Sequence, residues 1–127
     1  MELSGAKVVL IGGAGLIGSH TLDRLVQEDV AEIVVYDNFV RGSPENIASS
    51  IGDPRVRIFE AGGDIMQTDV LADALKDADG VFHFAALWLL HCHEYPQSAF
   101  EVNVRGTFNV MDACIKAGIK RLVYSSS

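Results

Sequence analysis

The residues best suited to chemistry stand near the N-terminus, in the run Gly12-Gly13-Ala14-Gly15-Leu16-Ile17-Gly18. Its G-x-x-G-x-x-G spacing, with Gly13 as an extra glycine, suits a loop that cradles phosphate. Gly12 permits a tight turn, Gly15 lets backbone approach a pyrophosphate, and Gly18 lets a following helix pack close against a sheet. Free N–H groups around Leu16 and Ile17, at a helix N-terminus, would face the phosphates. Such glycines can also serve a tight turn alone, so the acidic partner matters. Asp37 follows the next apolar run, where a carboxylate can accept from both hydroxyls of an adenosine ribose and repel a 2′-phosphate. This favours NAD over NADP, with Arg41 as the competing feature, because a guanidinium could pair with a 2′-phosphate.

Other chemistry-bearing side chains read more plainly. His91, Cys92, His93 and Glu94 are adjacent, and adjacent ligands rarely close a tetrahedral site, so no metal is expected. They suit a loop over the cofactor, or a helix start facing an oligomer partner. His83 falls in the middle of a buried strand and is expected to be a satisfied core histidine. Cys114 reads as core, and nothing near Cys92 supplies the cationic surroundings of a reactive thiolate. The acidic run from Asp69 to Asp79 is expected to be a solvated helix face.

These residues need elements to hold them. Lys7 to Ile11 is a β-branched run that stops at Gly12, as a strand buried on both faces would. From Leu16 to about Gln27 the apolar positions Ile17, Leu22, Leu25 and Val26 recur at helical spacing. Glu32 to Tyr36 predicts a second strand, and Glu45 to Ser49 one helical turn. Val56 to Glu60 predicts a third strand, and Thr68 can cap a helix carrying Leu71, Ala74 and Leu75. Asp79-Gly80 turns into a fourth strand, Val81 to Ala85. Pro96 suits the first turn of a long helix with the stripe Ala99, Val102, Gly106, Val110, Cys114 and Ala117, closed by Gly118 in the left-handed conformation. Arg121 to Ser125 predicts a fifth strand. Strands alternating with helices give an α/β, doubly wound Rossmann-type parallel sheet, with predicted order 3-2-1-4-5 and ligands at the carboxyl ends of its strands.

Composition agrees with one globular domain over residues 1–127. The chain is 49% hydrophobic and 21% charged. A net charge of −7 argues against nucleic acid or anionic lipid as partners, and leaves a cofactor's phosphates dependent on local donors. No apolar run is long enough to span a membrane, the N-terminus does not read as a signal peptide, and two cysteines make no disulfide framework. A cytoplasmic setting is the simplest expectation.

Six segments together carry a family resemblance: IGGAGLIGSH (Ile11 to His20), YDNFVRG (Tyr36 to Gly42), GDI (Gly63 to Ile65), VFHFAAL (Val81 to Leu87), EVNVRGT (Glu101 to Thr107) and YSSS (Tyr124 to Ser127). On these the chain resembles the extended short-chain dehydrogenases, the NAD-dependent nucleotide-sugar epimerases and dehydratases, with UDP-glucose 4-epimerases near to it. The resemblance implies that Asn38 and Gly42 join Asp37 and the glycine loop in holding NAD. It places Asp64 and Ile65 at the adenine, with the Asp64 carboxylate reading its amino group. It gives the backbones of Phe84, Ala85 and Ala86 to the cofactor, makes Asn103 an anchor of the long helix, and sets Ser125 near the nicotinamide. Ser127 aligns with the family's catalytic Ser/Thr, which hydrogen-bonds the sugar hydroxyl being oxidised.

In that family a Tyr of a Y-x-x-x-K motif takes the hydroxyl proton while hydride passes to NAD⁺, and the Lys lowers the pKa of the Tyr from about 10. Neither Tyr36, Tyr95 nor Tyr124 begins such a motif. The expectation is therefore the NAD-binding part of a nucleotide-sugar epimerase or dehydratase, truncated after the fifth strand and inactive alone. The alternative is a non-catalytic NAD sensor or interaction module. Trp88 stands where the 4-epimerases often carry a basic residue, which suggests stacking or packing and weakens an assignment to UDP-galactose. A sheet ending at its fifth strand leaves an apolar edge uncovered, so a homo-oligomer is expected.

Overall fold

The strands form where β-branched residues can be buried on both faces. In β1 (Lys7–Ile11) and β2 (Glu32–Tyr36) every residue after the first is buried. The computed structural model describes residues 1–126, and Ser127 lies outside the described residues. β3 (Val56–Ile58), β4 (Gly80–His83) and β5 (Arg121–Tyr124) complete a five-stranded, wholly parallel sheet of order β3-β2-β1-β4-β5, as the alternation of elements predicts. The last three strands end one or two residues earlier than their sequence runs. Their hydrogen bonding nevertheless continues past the ends: Phe59 donates to the Val35 carbonyl, Phe84 to Ile11 and Ser125 to His83.

Period-two alternation divides the core into two layers. Val8 and Leu10 face one way with Ile33, Val35, Leu22 and Leu25, under α1 (Leu16–Leu25) and a 3₁₀ turn at Pro44–Ile47. Val9 and Ile11 face the other way with Val34, Tyr36, Leu71, Leu75, Val110 and Cys114, under α2 (Thr68–Ala74) and a later helix. Ile17, predicted on the apolar stripe of α1, is instead 56% exposed, as is Leu16 at 76%. Both sit in the first turn of α1. Thr68 does not cap α2 but begins it, and Gln67 is the cap without a side-chain bond. Asp64 shapes the entry instead, its carboxylate accepting from Met66 N–H and its carbonyl from Gln67 N–H.

The predicted long helix runs without interruption from Pro96 to Ala117 but carries a π-helical stretch, and a separate short helix precedes it. α3 (Leu89–Glu94) and a single turn, α4 (Pro96–Ala99), precede a π-helical segment at Phe100–Gly106, which passes directly into α5 (Thr107–Ala117). Gly118 ends α5 at φ 69°, as its sequence position predicts. Ala117, counted on the buried stripe, is exposed at the last turn. Asp79 departs from the solvated-face expectation. Its carboxylate accepts the Lys120 ammonium at 2.7 Å and, less strongly, the Lys7 backbone N–H at 2.9 Å, which together hold its pKa below the usual carboxylate range.

Candidate cofactor site

The glycine loop joins β1 to α1 at the point where neighbouring strands diverge to either side, β2 on one flank and β4 on the other. Gly12 turns at φ 80°, and a Cβ there would lie 2.7 Å from the Ala85 nitrogen. A Cβ at Gly18 would collide with the Gly12 carbonyl and lie 2.6 Å from Gly13 Cα, so α1 packs as tightly on the loop as the motif requires. Gly15 differs: a Cβ there would meet only Gly12 O, at 3.4 Å. That glycine is not needed for packing within the chain, which is what an approach site for a ligand requires. The first N–H to close onto α1 is that of Ser19, which donates to Gly15 O at 2.9 Å. The N–H groups of Leu16, Ile17 and Gly18 therefore precede the helical ladder and form an anion-binding end.

Asp37 follows β2 and is tied into this loop. One carboxylate oxygen accepts the Ala14 N–H at 2.9 Å and the other accepts Phe39 N–H at 2.8 Å. Both oxygens keep further lone pairs for two hydroxyl donors. Asn38, beside it, is exposed, and its side-chain oxygen accepts from Val40 N–H. Gly42 packs on Ala14, where a Cβ would lie 2.8 Å from the Ala14 carbonyl. Ser43 N–H and the Asn46 amide both donate to that same carbonyl, so the loop after β2 is fastened to the glycine loop.

Asp64 and Ile65 lie beyond β3. The Asp64 carbonyl accepts the Tyr36 hydroxyl at 2.7 Å. Burial, and then the Asp64 charge, push the Tyr36 pKa up to about 12, so this phenol stays protonated. Ile65 is buried in the core and the Asn109 amide donates to its carbonyl, so what it offers the groove is backbone. Gly63 was not singled out as a site residue in the sequence. A Cβ there would strike the Asp37 carbonyl carbon and oxygen, so Gly63 sets how closely the β2 and β3 loops approach. The Gly62-Gly63 pair ahead of Asp64 was the available signal.

On the other flank, Phe84 continues the β4–β1 ladder, Ala85 lies against Gly12, and Ala86 is exposed. Asn103, from the π-helical segment, clamps the next residue: its side-chain oxygen accepts Leu87 N–H at 2.7 Å and its amide donates to Leu87 O at 3.0 Å. The Cys92 thiol donates to the same Leu87 carbonyl and accepts from Asn103. His91 to Glu94 lie in α3, and no three potential ligands converge on a metal position among the described residues. Ser125 is exposed just past β5, and Ser127, the expected hydrogen-bonding partner of the sugar hydroxyl, lies outside the described residues.

Two findings were not legible in the sequence. Arg41 lays its guanidinium over the Trp88 ring, 4.1 Å from the centroid, bridging the β2 and β4 loops. His83 is fully buried but only half satisfied: Nε2 lies 3.2 Å from the Thr107 hydroxyl, whereas Nδ1 has no partner among the described residues. A strand position predicts burial but does not supply a partner for each ring nitrogen. Burial drives the His83 pKa down to about 4, so the ring is neutral at pH 7.

Comparison with known proteins agrees with this geometry. The chain is 36% identical over 137 residues to UDP-glucose 4-epimerase 3 of Oryza sativa subsp. japonica, an alignment covering 98% of this chain and 35% of that protein. It is 34% identical over 122 residues to UDP-glucuronic acid decarboxylase 3 of Arabidopsis thaliana, covering 95% and 34%. The chain thus spans about a third of the length of the curated relatives it matches. Among solved structures, a dTDP-glucose 4,6-dehydratase from Streptomyces venezuelae with NAD and TYD bound superposes with a TM-score of 0.85 at 31% identity, covering 91% of this chain and 38% of that one. The resemblance to the extended short-chain dehydrogenases is thereby borne out, and with residues 9–127 matching its family description, the chain belongs to the 3-beta hydroxysteroid dehydrogenase/isomerase family.

Proposed function

We propose that this chain is the NAD-binding part of an enzyme that transfers hydride at a sugar hydroxyl of a nucleotide sugar, of the UDP-sugar 4-epimerase type. The observation that carries the proposal is the juxtaposition of an open-faced Gly15, the unladdered N–H groups of Leu16 to Gly18, and the Asp37 carboxylate hydrogen-bonded to Ala14. These residues fit a dinucleotide: helix N-terminal donors for pyrophosphate, and two carboxylate oxygens for the ribose hydroxyls. Asp64, Ile65, Phe84, Ala85 and Ala86 would line the adenine and nicotinamide ends, with Ser125 nearby and Ser127 on the substrate side. When bound, NAD supplies a hydride acceptor. What these residues of the chain contribute is binding and orientation; none of Tyr36, Tyr95 and Tyr124 begins the Y-x-x-x-K motif that transfers the proton in the family.

Homo-oligomerisation is part of the same proposal. Phe100, Val104, Phe108, Met111 and Ile115 recur at helical spacing and are all exposed, giving an apolar stripe along the π-helical segment and α5. A Phe108→Glu, Ile115→Glu variant should lower the mass seen in light scattering while leaving the circular dichroism unchanged.

Calorimetric titration with NAD⁺ and NADP⁺ tests the cofactor assignment. Binding of NAD⁺ at least about tenfold tighter than NADP⁺, a difference of about 1.4 kcal/mol, is the expected result. A folded chain that binds neither would overturn it. Among the described residues no helix is long and apolar enough to cross a membrane.

A further inference from the structure

Arg41 has no ion-pair partner among the described residues, although the chain carries an excess of acidic groups and most of its other cations are paired. Its contact is instead the face of Trp88. The mounts on both sides are fixed. Gly42, next to Arg41, is pressed on Ala14, and Ser43 and Asn46 both donate to the Ala14 carbonyl. Trp88 follows Leu87, which Asn103 clamps from both sides, and Ala85 lies on Gly12. A contact from residue 41 to residue 88 therefore closes a ring whose opposite side is the glycine loop itself.

We infer that Arg41 and Trp88 form a clasp across the dinucleotide groove, with Arg41 supplying the positive charge for the pyrophosphate and Trp88 holding it there. This rests on the cofactor assignment above and assigns a positioning pair to it. Stacking occupies the face of a guanidinium and leaves its N–H donors, which lie in the plane, available for a phosphate. An exposed cation–π contact is weak beside a charge-assisted bond to phosphate, so the arginine can turn its edge to an incoming anion without losing much. The alternative partner, a ribose 2′-phosphate, would have to lie beside the Asp37 carboxylate, whose like charge repels it.

Trp88 is the only tryptophan of the chain, so its emission reports on this pair alone. NAD⁺ should be titrated into the unaltered chain and into Arg41→Ala, Trp88→Phe, Trp88→Ala and the Arg41→Ala, Trp88→Ala double variant, by calorimetry and, where Trp88 remains, by fluorescence. Arg41→Ala should weaken NAD⁺ binding about tenfold, the loss of one charge-assisted contact. Trp88→Phe keeps an aromatic face and should stay within about threefold, whereas Trp88→Ala should fall between it and Arg41→Ala. The double variant should bind no more weakly than Arg41→Ala alone, because the indole acts through the arginine. NAD⁺ should change the Trp88 emission of the unaltered chain and leave that of Arg41→Ala nearly unmoved. An unaltered chain that binds NAD⁺, with Arg41→Ala binding equally well, would overturn the clasp and leave the cofactor assignment standing. An unaltered chain that does not bind NAD⁺ would overturn the assignment itself, and the clasp with it.

Discussion

The Asp37 carboxylate and the Ala14 backbone N–H are joined at 2.9 Å, so the residue expected to read a ribose also holds the phosphate loop in shape. Its second oxygen orders the turn after β2 through Phe39. Recognition and loop geometry are therefore coupled in one side chain.

Replacement of Asp37 by Ala should accordingly do two things at once. It should abolish measurable NAD⁺ binding and destabilise the fold by about 1–3 kcal/mol, since two part-buried N–H groups lose an ionised acceptor. Asp37→Asn, which keeps one acceptor oxygen, should lose less stability but most of the affinity. Chemical denaturation run beside calorimetry separates the two effects. A stable Asp37→Ala chain that still binds NAD⁺ would refute both roles.

Asn103 tests the other flank. Its amide both donates to and accepts from Leu87, a pairing that no other residue type of its size reproduces. Asn103→Ala should cost about 2 kcal/mol, and Asn103→Asp, which accepts but cannot donate, should be intermediate. Equal melting temperatures for all three chains would show that the clamp contributes nothing to stability.

Two glycines of different kinds should respond differently to alanine. At Gly63 the added methyl would overlap the Asp37 carbonyl, and backbone must shift to make room. At Gly118 it meets open space and pays only for the left-handed φ of 69°. Gly118→Ala should cost about 1 kcal/mol. Gly63→Ala should cost distinctly more and should also impair NAD⁺ binding, because it displaces Asp37. Equal losses in urea unfolding would contradict this close approach.

His83 predicts a pH dependence of definite sign. Its pKa is about 4 in the folded chain, against about 6.5 when exposed, so between these values the unfolded chain binds the extra proton. Its contribution is complete above about pH 6.5 and is lost as pH falls toward 4, by about 3 kcal/mol in all. His83→Phe should flatten that part of the curve of melting temperature against pH. An unchanged slope in the variant would show that other groups set it.

The two-layer sheet was readable from sequence because its causes are local. β-branched runs of about five residues, each ended by glycine or a polar turn, make buried parallel strands, and a single handed rule for crossovers orders them. The glycine loop, Asp37 and the left-handed Gly118 were legible for the same reason: each residue type is demanded by the backbone at its own position. The π-helical segment inside the predicted long helix, and the separate α3 ahead of it, were not, because apolar spacing fixes a helical face without distinguishing five-residue from four-residue hydrogen bonding.

What only the tertiary structure decided are the relations between distant segments. The sequence presents Arg41 and Trp88 as two separate oddities, one a rival ligand for phosphate and the other a replaced basic residue. The fold stacks one on the other, because the loops that carry them follow strands on either side of β1. The orphan nitrogen of His83, the clamp of Asn103 on Leu87 and the contact of Gly63 with Asp37 are of the same kind. Composition and periodicity report which face of an element is buried, but hydrogen bonds and close approaches depend on which atoms of another element arrive opposite, and that is settled only when the sheet closes its register.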